Sequence, residues 1–443
     1  MKRLIETLTN IFKIEDLRAR ILTTLGLLLI YRLGSYIVIP GIDPMQLDAL
    51  QNITQGGLMD ILNMFTGGAF SNASIFALGI MPYISASIVV QLLGIAVPYF
   101  QRLQKEGESG RKKINQITRY LTVLVTGLQA PSYLTNLTYQ LPESAFVLKG
   151  TFFWISSVLI LITGTMFIMW LGERITDKGI GNGISLIIMI GIIARLPFAL
   201  AGEFFTRIEA TGGGLIMFLV EIVILLIVII FSILLVQGTR RIPVQYAKRI
   251  VGNKQYGGVR QYIPLKVNAA GVMPIIFAQA IMMIPMMFFS KLDSTSSLAV
   301  AFRYGGFWYN FTFAILIILF TYFYTAITIN PQQIAEDMKR NGGFIPGIKP
   351  GKKTVEFLDT IMSRITLPGS IFLAIIAILP AFAMMIGINN QFAGFYGGTS
   401  LLIMVGVILD TLQQIESHLL MRHYDGLMKS GRIKGRASAA SGM

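Results

Sequence analysis

Ala77-Leu78-Gly79-Ile80-Met81-Pro82-Tyr83-Ile84-Ser85-Ala86 and Ala269-Ala270-Gly271-Val272-Met273-Pro274-Ile275-Ile276-Phe277-Ala278 follow one pattern, Ala-x-Gly-[Ile/Val]-Met-Pro-x-Ile-x-Ala. Each lies in an apolar block of roughly 18–24 residues, enough to cross about 30 Å of hydrocarbon as a helix. A weaker echo relates Gly183-Ile184-Ser185-Leu186-Ile187-Ile188 to Gly398-Thr399-Ser400-Leu401-Leu402-Ile403. Glycine and proline inside a span free backbone polar groups, which is tolerated only where protein or water covers them. The duplicated segments are therefore expected to border a central pathway.

Composition agrees with a membrane setting. Of 443 residues, 54% are hydrophobic and 13% charged, and the mean hydropathy is +0.66. So few charges cannot cover the surface of a soluble protein of this size. The pattern predicts an all-α polytopic membrane protein with ten transmembrane helices, at about 21–40, 74–97, 118–137, 152–172, 180–200, 214–236, 269–290, 311–329, 365–387 and 398–420. No cleavable signal is expected, because the first apolar block is too long and lacks a small-residue cleavage site. With no cysteine, and only His418 and His423, no metal centre or cysteine nucleophile is expected.

The matched segments fall in spans two and seven and in spans five and ten. An offset of five is odd, so the second unit enters the membrane with opposite orientation: an inverted repeat. The expected organisation is an N-terminal segment 1–20, a first half 21–200, a second half 201–420 and a tail 421–443. The duplicated isoleucines, Ile84 with Ile276 and Ile188 with Ile403, then lie near the pseudo-symmetry axis. Aliphatic side chains there would gate by dewetting; for any single isoleucine, ordinary core packing is the stronger reading.

Charge sets the direction. The N-terminus, 98–117, 173–179, 237–268, 330–364 and the tail, with short flanks, carry 31 Lys/Arg and 12 Asp/Glu; the opposite side carries 5 and 7. By the positive-inside rule the basic side is cytoplasmic, and an even span count puts both termini there. Segment 237–268 holds Arg240, Arg241, Lys248, Arg249, Lys254, Arg260 and Lys266 with no acidic residue. A topology signal with attraction to lipid headgroups is one reading. Loop length and proline and aromatic content favour docking of an acidic partner. Gly347-Ile348-Lys349-Pro350-Gly351 in the second long loop reads as an exposed tip presenting one cation, or as a solvated turn. Between spans one and two, Leu58-Met59-Asp60-Ile61-Leu62-Asn63-Met64-Phe65 is bracketed by glycine pairs and too short to cross, so it reads as a re-entrant or interfacial helix. Arg32, Glu221, Asp410 and Glu416 are ionisable residues inside spans.

These residues carry a specific resemblance. Asn63-Met64-Phe65-Thr66-Gly67-Gly68-Ala69, the stretch 75–88 around Pro82, Lys105-Glu106-Gly107-Glu108-Ser109-Gly110-Arg111 and Gly179-Ile180-Gly181-Asn182-Gly183-Ile184-Ser185 carry it in the first half. Arg240-Arg241-Ile242-Pro243, Pro264-Leu265-Lys266-Val267-Asn268, Phe344-Ile345-Pro346-Gly347-Ile348 and 397–403 carry it in the second. The chain resembles the SecY family of protein-translocation channel subunits along nearly its whole length. The resemblance implies two inverted five-helix halves around an hourglass pore. It implies a pore ring of Ile80, Ile84, Ile184, Ile188, Ile276 and Ile403, and a plug over 58–70 including Leu58, Ile61, Leu62, Met64 and Phe65. Gln91 and Asn182 resemble polar residues of a lateral gate formed by spans two, three, seven and eight. Arg240, Arg241, Lys248, Arg249 and Lys349 fall where the family docks a ribosome or a SecA-type motor ATPase. Lys349 stands where the family commonly has arginine, which keeps the charge but loses the planar five-donor fork. SecE-like and SecG-like small subunits, nascent chains or preproteins with signal sequences, and membrane lipids are the other implied partners. The implied location is the plasma membrane, and no cofactor is implied.

An inverted-repeat secondary transporter is the alternative from the residues alone. Such transporters place acidic or polar ligands at the midplane, whereas the duplicated positions here are aliphatic. An enzyme is disfavoured: there is no His-Glu-x-x-His, no Gly-x-Ser-x-Gly and no carboxylate pair in a repeated span. Without a phosphate-binding Gly-x-x-x-x-Gly-Lys-[Ser/Thr], energy for transport must come from a partner.

Overall fold

The computed structural model describes residues 14–47, 63–148, 150–209, 214–246, 249–251, 254–256, 260–289 and 306–429. A helix occupies each of the ten expected spans: α1 (Glu15–Gly34), α2 (Met81–Ala96), α4 (Glu108–Gln140), α5 (Thr151–Lys178), α6 (Gly183–Glu209), α7 (Gly214–Gln237), α8 (Met273–Phe289), α9 (Phe307–Thr328), α11 (Lys352–Met385) and α13 (Gly398–Lys429). Shorter helices are α3 (Pro98–Lys105), α10 (Pro331–Arg340) and α12 (Asn390–Ala393). Among the described residues, six helices are individually long and apolar enough to cross a membrane: α5, α6, α7, α11, α13 to Leu419, and the one beginning at Phe307. The chain divides into two compact units, one built mainly on Ile61–Arg195 with the N-terminal segment and the stretch from Val407, the other mainly on Leu196–Gly406.

Three boundaries differ from the hydropathy reading, each for a local reason. α1 stops at Gly34 rather than near 40. Ile37, Val38 and Ile39 precede Pro40, which disfavours helical backbone before it. The stretch is extended instead, with Ile39 N–H donating to Ala73 O (2.9 Å) and Ile75 N–H to Ile37 O (2.9 Å). α2 begins at Met81 rather than 74, because Gly79 adopts φ +56°. Pro82 and Pro274 therefore sit in the first turn of their helices, where a missing N–H costs nothing; the non-helical part of span two precedes the proline. Finally, Val97 is extended ahead of Pro98, and α3 leaves α2 at 98°.

In the first unit α4 packs between α2 and α5, and α5 also lies on α1. Thr118, Thr122 and Thr126 form one buried stripe on α4, each hydroxyl donating to the carbonyl four residues back at 2.7–2.9 Å. Small residues set the closest approaches. A Cβ on Gly164 would overlap the Ile75 carbonyl oxygen, and one on Gly183 would overlap that of Gly172.

In the second unit α11 packs on α7, α9 and α10. The break between α9 and α10 is built by Asn330, whose Oδ1 accepts from Gln332 N–H (3.0 Å) and Gln333 N–H (3.3 Å) ahead of the α10 helix. The two long loops hold strands β1 (Thr239–Tyr246), β2 (Arg249–Val251), β3 (Lys254–Tyr256), β4 (Arg260–Lys266) and β5 (Gly343–Phe344). β1 lies between β4 and β5, both antiparallel, while β2 and β3 form a separate hairpin. Pro243 pairs with Tyr262, and Pro264 with Arg241. Both prolines thus fall in the same class of pair two residues apart, consistent with positions that exchange no N–H···O bond. Beneath the sheet, Ile242, Val244, Leu265, Ala335, Met338, Ile345, Leu358 and Met362 form a core of their own. Full burial of a side chain such as Leu358 contributes about 1.5–3 kcal/mol.

Two glycines test this packing against each other. Gly183→Ala should destabilise the protein by about 1–3 kcal/mol through overpacking. Gly26→Ala, in α1 with nothing within 4 Å of the new methyl, should be neutral or stabilising by up to about 1 kcal/mol. Melting temperatures of the purified variants give the comparison.

Candidate functional site

The duplicated sequences build duplicated helix starts. Gly79 (φ +56°) lies two residues before α2, and Gly271 (φ +63°) lies two residues before α8. Ile84 N–H donates to Ile80 O at 3.1 Å; in the matching place Ile276 N–H donates to Val272 O at 3.4 Å. Ile84 and Ile276 are each the fourth residue of their helix, while Ile188 and Ile403 are each the sixth of α6 and α13. The helices before the second pair are alike too. A Cβ on Gly183 would overlap a carbonyl of α5, and one on Gly397 would overlap the Ile376 carbonyl of α11.

Of the six isoleucines assigned to the ring by resemblance, Ile80, Ile188 and Ile403 are buried, and Ile84, Ile184 and Ile276 half-buried. Ile80 and Ile84 are one turn apart, as are Ile184 and Ile188, so each pair shares a helix stripe. Four belong to the first unit and two to the second. All six sit in or beside the first two turns of a helix.

Of the plug residues, Leu58, Ile61 and Leu62 lie outside the described residues. Phe65 is buried and Met64 half-buried in a compact knot over 63–72. Asn63 Oδ1 accepts from Ser71 N–H (3.1 Å), and Gly68 N–H donates to Asn63 O (3.0 Å). Four side chains from outside the segment fasten it. Tyr31 OH donates to Thr66 O (3.3 Å), Arg32 Nη1 to Gly67 O (2.6 Å), Tyr133 OH to Phe70 O (2.9 Å) and Arg195 Nη2 to Ser71 Oγ (3.4 Å). This accounts for Arg32, whose guanidinium also bonds Tyr36 OH (3.0 Å) and lies 5.0 Å from its ring centre. In hydrocarbon, a guanidinium serving freed backbone carbonyls satisfies both groups.

Gln91 is exposed on α2. Asn182 is exposed as well, and its Oδ1 accepts from Ile184 N–H (3.1 Å) and Ser185 N–H (3.3 Å), which makes it the N-cap of α6. The turn before it is fixed by Thr24 Oγ1 on Ile180 N–H (3.1 Å), Gln414 Oε1 on Gly181 N–H (2.9 Å) and Thr176 Oγ1 on Gly183 N–H (2.9 Å).

Arg240 and Arg241 are exposed at the start of β1, and strand alternation sends them to opposite faces. Arg249 begins β2, and Lys248 lies outside the described residues. Lys349 is exposed between Gly347 (φ +83°) and Gly351 (φ +103°), with its carbonyl accepting from Thr354 Oγ1 (3.1 Å). The two loops singled out for charge are joined by the β1–β5 pair, which charge alone did not indicate. Asp410 is exposed and accepts from Gln414 Nε2 (3.2 Å). Glu221 is buried, with its Oε1 2.6 Å from Arg207 Nη2, a neighbour that hydropathy did not reveal.

Several membrane-length apolar helices with repeated, glycine-broken helix starts are the architecture of channels and carriers. Comparison with known proteins is specific. The SecY family model matches residues 74–412. The chain is 43% identical to the protein translocase subunit SecY of Streptomyces scabiei, covering 94% of this chain and 98% of that one. It is 42% identical to that of Thermotoga maritima, over 96% and 98%. A solved structure of a protein-conducting channel superimposes with a TM-score of 0.60 at 17% identity, covering 90% of this chain and 92% of that one. Sec61 in the canine ribosome–channel complex gives 0.56 at 16%, with the same coverages. The chain belongs to the SecY family.

The repeated glycines are not equivalent in surroundings. A left-handed conformation costs a non-glycine residue about 1–2 kcal/mol, so Gly271→Ala, with open space around the new methyl, should lose about that much. Gly79→Ala should lose more, since its methyl would lie 2.9 Å from Thr66 Cγ2. Equilibrium unfolding of the two variants in detergent measures the difference.

Proposed function

We propose that this chain is the polypeptide-conducting channel of a translocase in the plasma membrane, with both termini cytoplasmic. It passes secretory chains across and releases transmembrane segments sideways. The matched placement of Ile84 with Ile276 and Ile188 with Ile403, each pair at one depth below a repeated helix start, carries this reading. A narrow aliphatic ring offers water and ions no hydrogen bond and so seals by dewetting, yet yields to a threading chain. The plug segment seals in series, and Gln91 and Asn182 border the lateral gate.

Opening is a population shift. A signal sequence inserts its apolar helix at the gate, while a SecA-type ATPase or a ribosome docks on the sheet and tip bearing Arg240, Arg241, Lys248, Arg249 and Lys349. SecE-like and SecG-like subunits complete the complex. The relatives named as translocase subunits and the likeness to Sec61 in a ribosome–channel complex support these assignments.

Replacing Ile84, Ile188, Ile276 and Ile403 together with serine should raise resting ion conductance in planar bilayers and relax the demand for a strongly hydrophobic signal sequence. Single Ile→Leu changes should do little. A quadruple variant as ion-tight as the parent, with 58–70 also deleted, would place the constriction elsewhere.

Charge reversal at Arg240, Arg241, Lys248 and Arg249 should abolish partner-driven translocation into vesicles while membrane insertion and protein level hold. Loss of insertion instead would assign these residues to topology alone.

A further inference from the structure

Two carboxylates and one guanidinium meet in the second unit, where the end of α6, the start of α7 and the segment after α11 come together. Glu203 and Glu221 are buried, and the Arg207 side chain is 16% exposed. Arg207 Nε donates to Glu203 Oε1 at 2.8 Å, and Nη2 donates to the Gly387 carbonyl at 2.9 Å. Nη2 also lies 2.6 Å from Glu221 Oε1. The second oxygen of Glu203 accepts from Asn389 N–H at 2.8 Å, and Tyr396 OH donates to the backbone carbonyl of Glu221 at 2.8 Å. Residues 387–396 are thus tied at three points to the α6–α7 pair.

The charges do not balance. Two carboxylates face one guanidinium, and no other ionisable side chain lies on α7 or on 365–385 of α11, which packs against it. Tyr396 is the remaining titratable group at the cluster. An uncompensated buried charge is expensive enough that the group neutralises instead, and two carboxylates sharing a dry site retain one proton between them.

The hydrogen bonds decide which carboxylate is the anion. Glu203 accepts one N–H on each oxygen, whereas neither oxygen of Glu221 accepts a well-formed hydrogen bond among the described residues, although Oε1 lies 2.6 Å from Arg207 Nη2.

We propose that Glu221 is a buried proton-binding site, a neutral acid at neutral pH, which closes a one-proton latch between the α6–α7 pair and residues 387–396. Because those residues lead directly into α13, the latch also sets the start of the helix that carries Ile403. Glu203 and Arg207 are its positioning residues. The latch requires no assumption about what the channel carries.

The chain has no native cysteine, so a single Ala393→Cys, at a fully buried position inside the latched segment, reports opening by its maleimide labelling rate in the assembled complex in lipid. Infrared difference spectra of the same complex report the C=O stretch of a protonated carboxylic acid. The acid band should be present in the parent at pH 7 and absent from Glu221→Gln, whose amide mimics the neutral acid. Ala393→Cys should stay as protected with Glu221→Gln as without it, and label about tenfold faster or more with Arg207→Gln, which removes charged hydrogen bonds. Should Arg207→Gln fail to accumulate, Glu203→Gln opens the same latch and takes its place. An acid band that survives in Glu221→Gln, no acid band in the parent, or labelling of Glu221→Gln as fast as Arg207→Gln overturns the proposal.

Discussion

Inside hydrocarbon every backbone N–H and C=O must find a partner within the protein, and this chain departs from continuous helix ahead of α2, α6, α8 and α13. Each departure is supplied with partners. Ahead of α2 the extended stretch 37–39 and the knot over 63–72 exchange backbone bonds with the residues before Met81. Ahead of α6 three side chains and the Asn182 cap take up five N–H groups. Before α8, Val267 N–H returns to Gly238 O (2.8 Å), and before α13 a short helical turn closes through Phe395 N–H to Phe392 O (3.0 Å). Part of the sparse buried polar inventory, such as Asn63, Thr66, Ser71 and Thr399, accordingly sits ahead of a helix start or in its first turn.

Much of this was legible in the residues. Hydropathy located a helix in every expected span, because about 20 apolar residues have few alternatives to helix in lipid. The Ala-x-Gly-[Ile/Val]-Met-Pro match located α2 and α8, since a glycine able to adopt positive φ followed by a proline two positions before the fourth helical residue is itself an instruction to start a helix. Hydropathy failed at the ends of spans one and two, where Ile37-Val38-Ile39 is as apolar in extended form as in a helix. The sheet was not legible from charge: β1 pairs with β4 and β5 over a core in which Ile242 and Val244 meet Ala335 and Met338 of α10 and Leu358 of α11, far along the chain. Nor was the Glu203–Arg207–Glu221 cluster, because α7 alone shows only an isolated acid in an apolar helix.

The arginines illustrate why a basic side chain in this chain has no single meaning. Arg32 serves a carbonyl of the 63–72 knot, Arg207 serves two acids and a carbonyl, and Arg240 and Arg241 stand in solvent on a strand. Sequence identifies the cost of each buried cation; the partner that offsets it comes from elsewhere in the chain.

The sheet also bears on synthesis. Gln245 pairs with Phe344, 99 residues further along the chain. At about 5–20 residues per second, the completed β1–β4 hairpin waits roughly 4–16 s on the growing chain with Ile242 and Val244 uncovered and one strand edge unpaired. During that interval two further spans must be made and inserted before β5 and α10 arrive to close the core. An uncovered edge of this kind is a template for pairing with other chains. The arginines and prolines of β1 and β4 are residues that discourage such pairing, so the same side chains that mark the finished surface also guard the unfinished one.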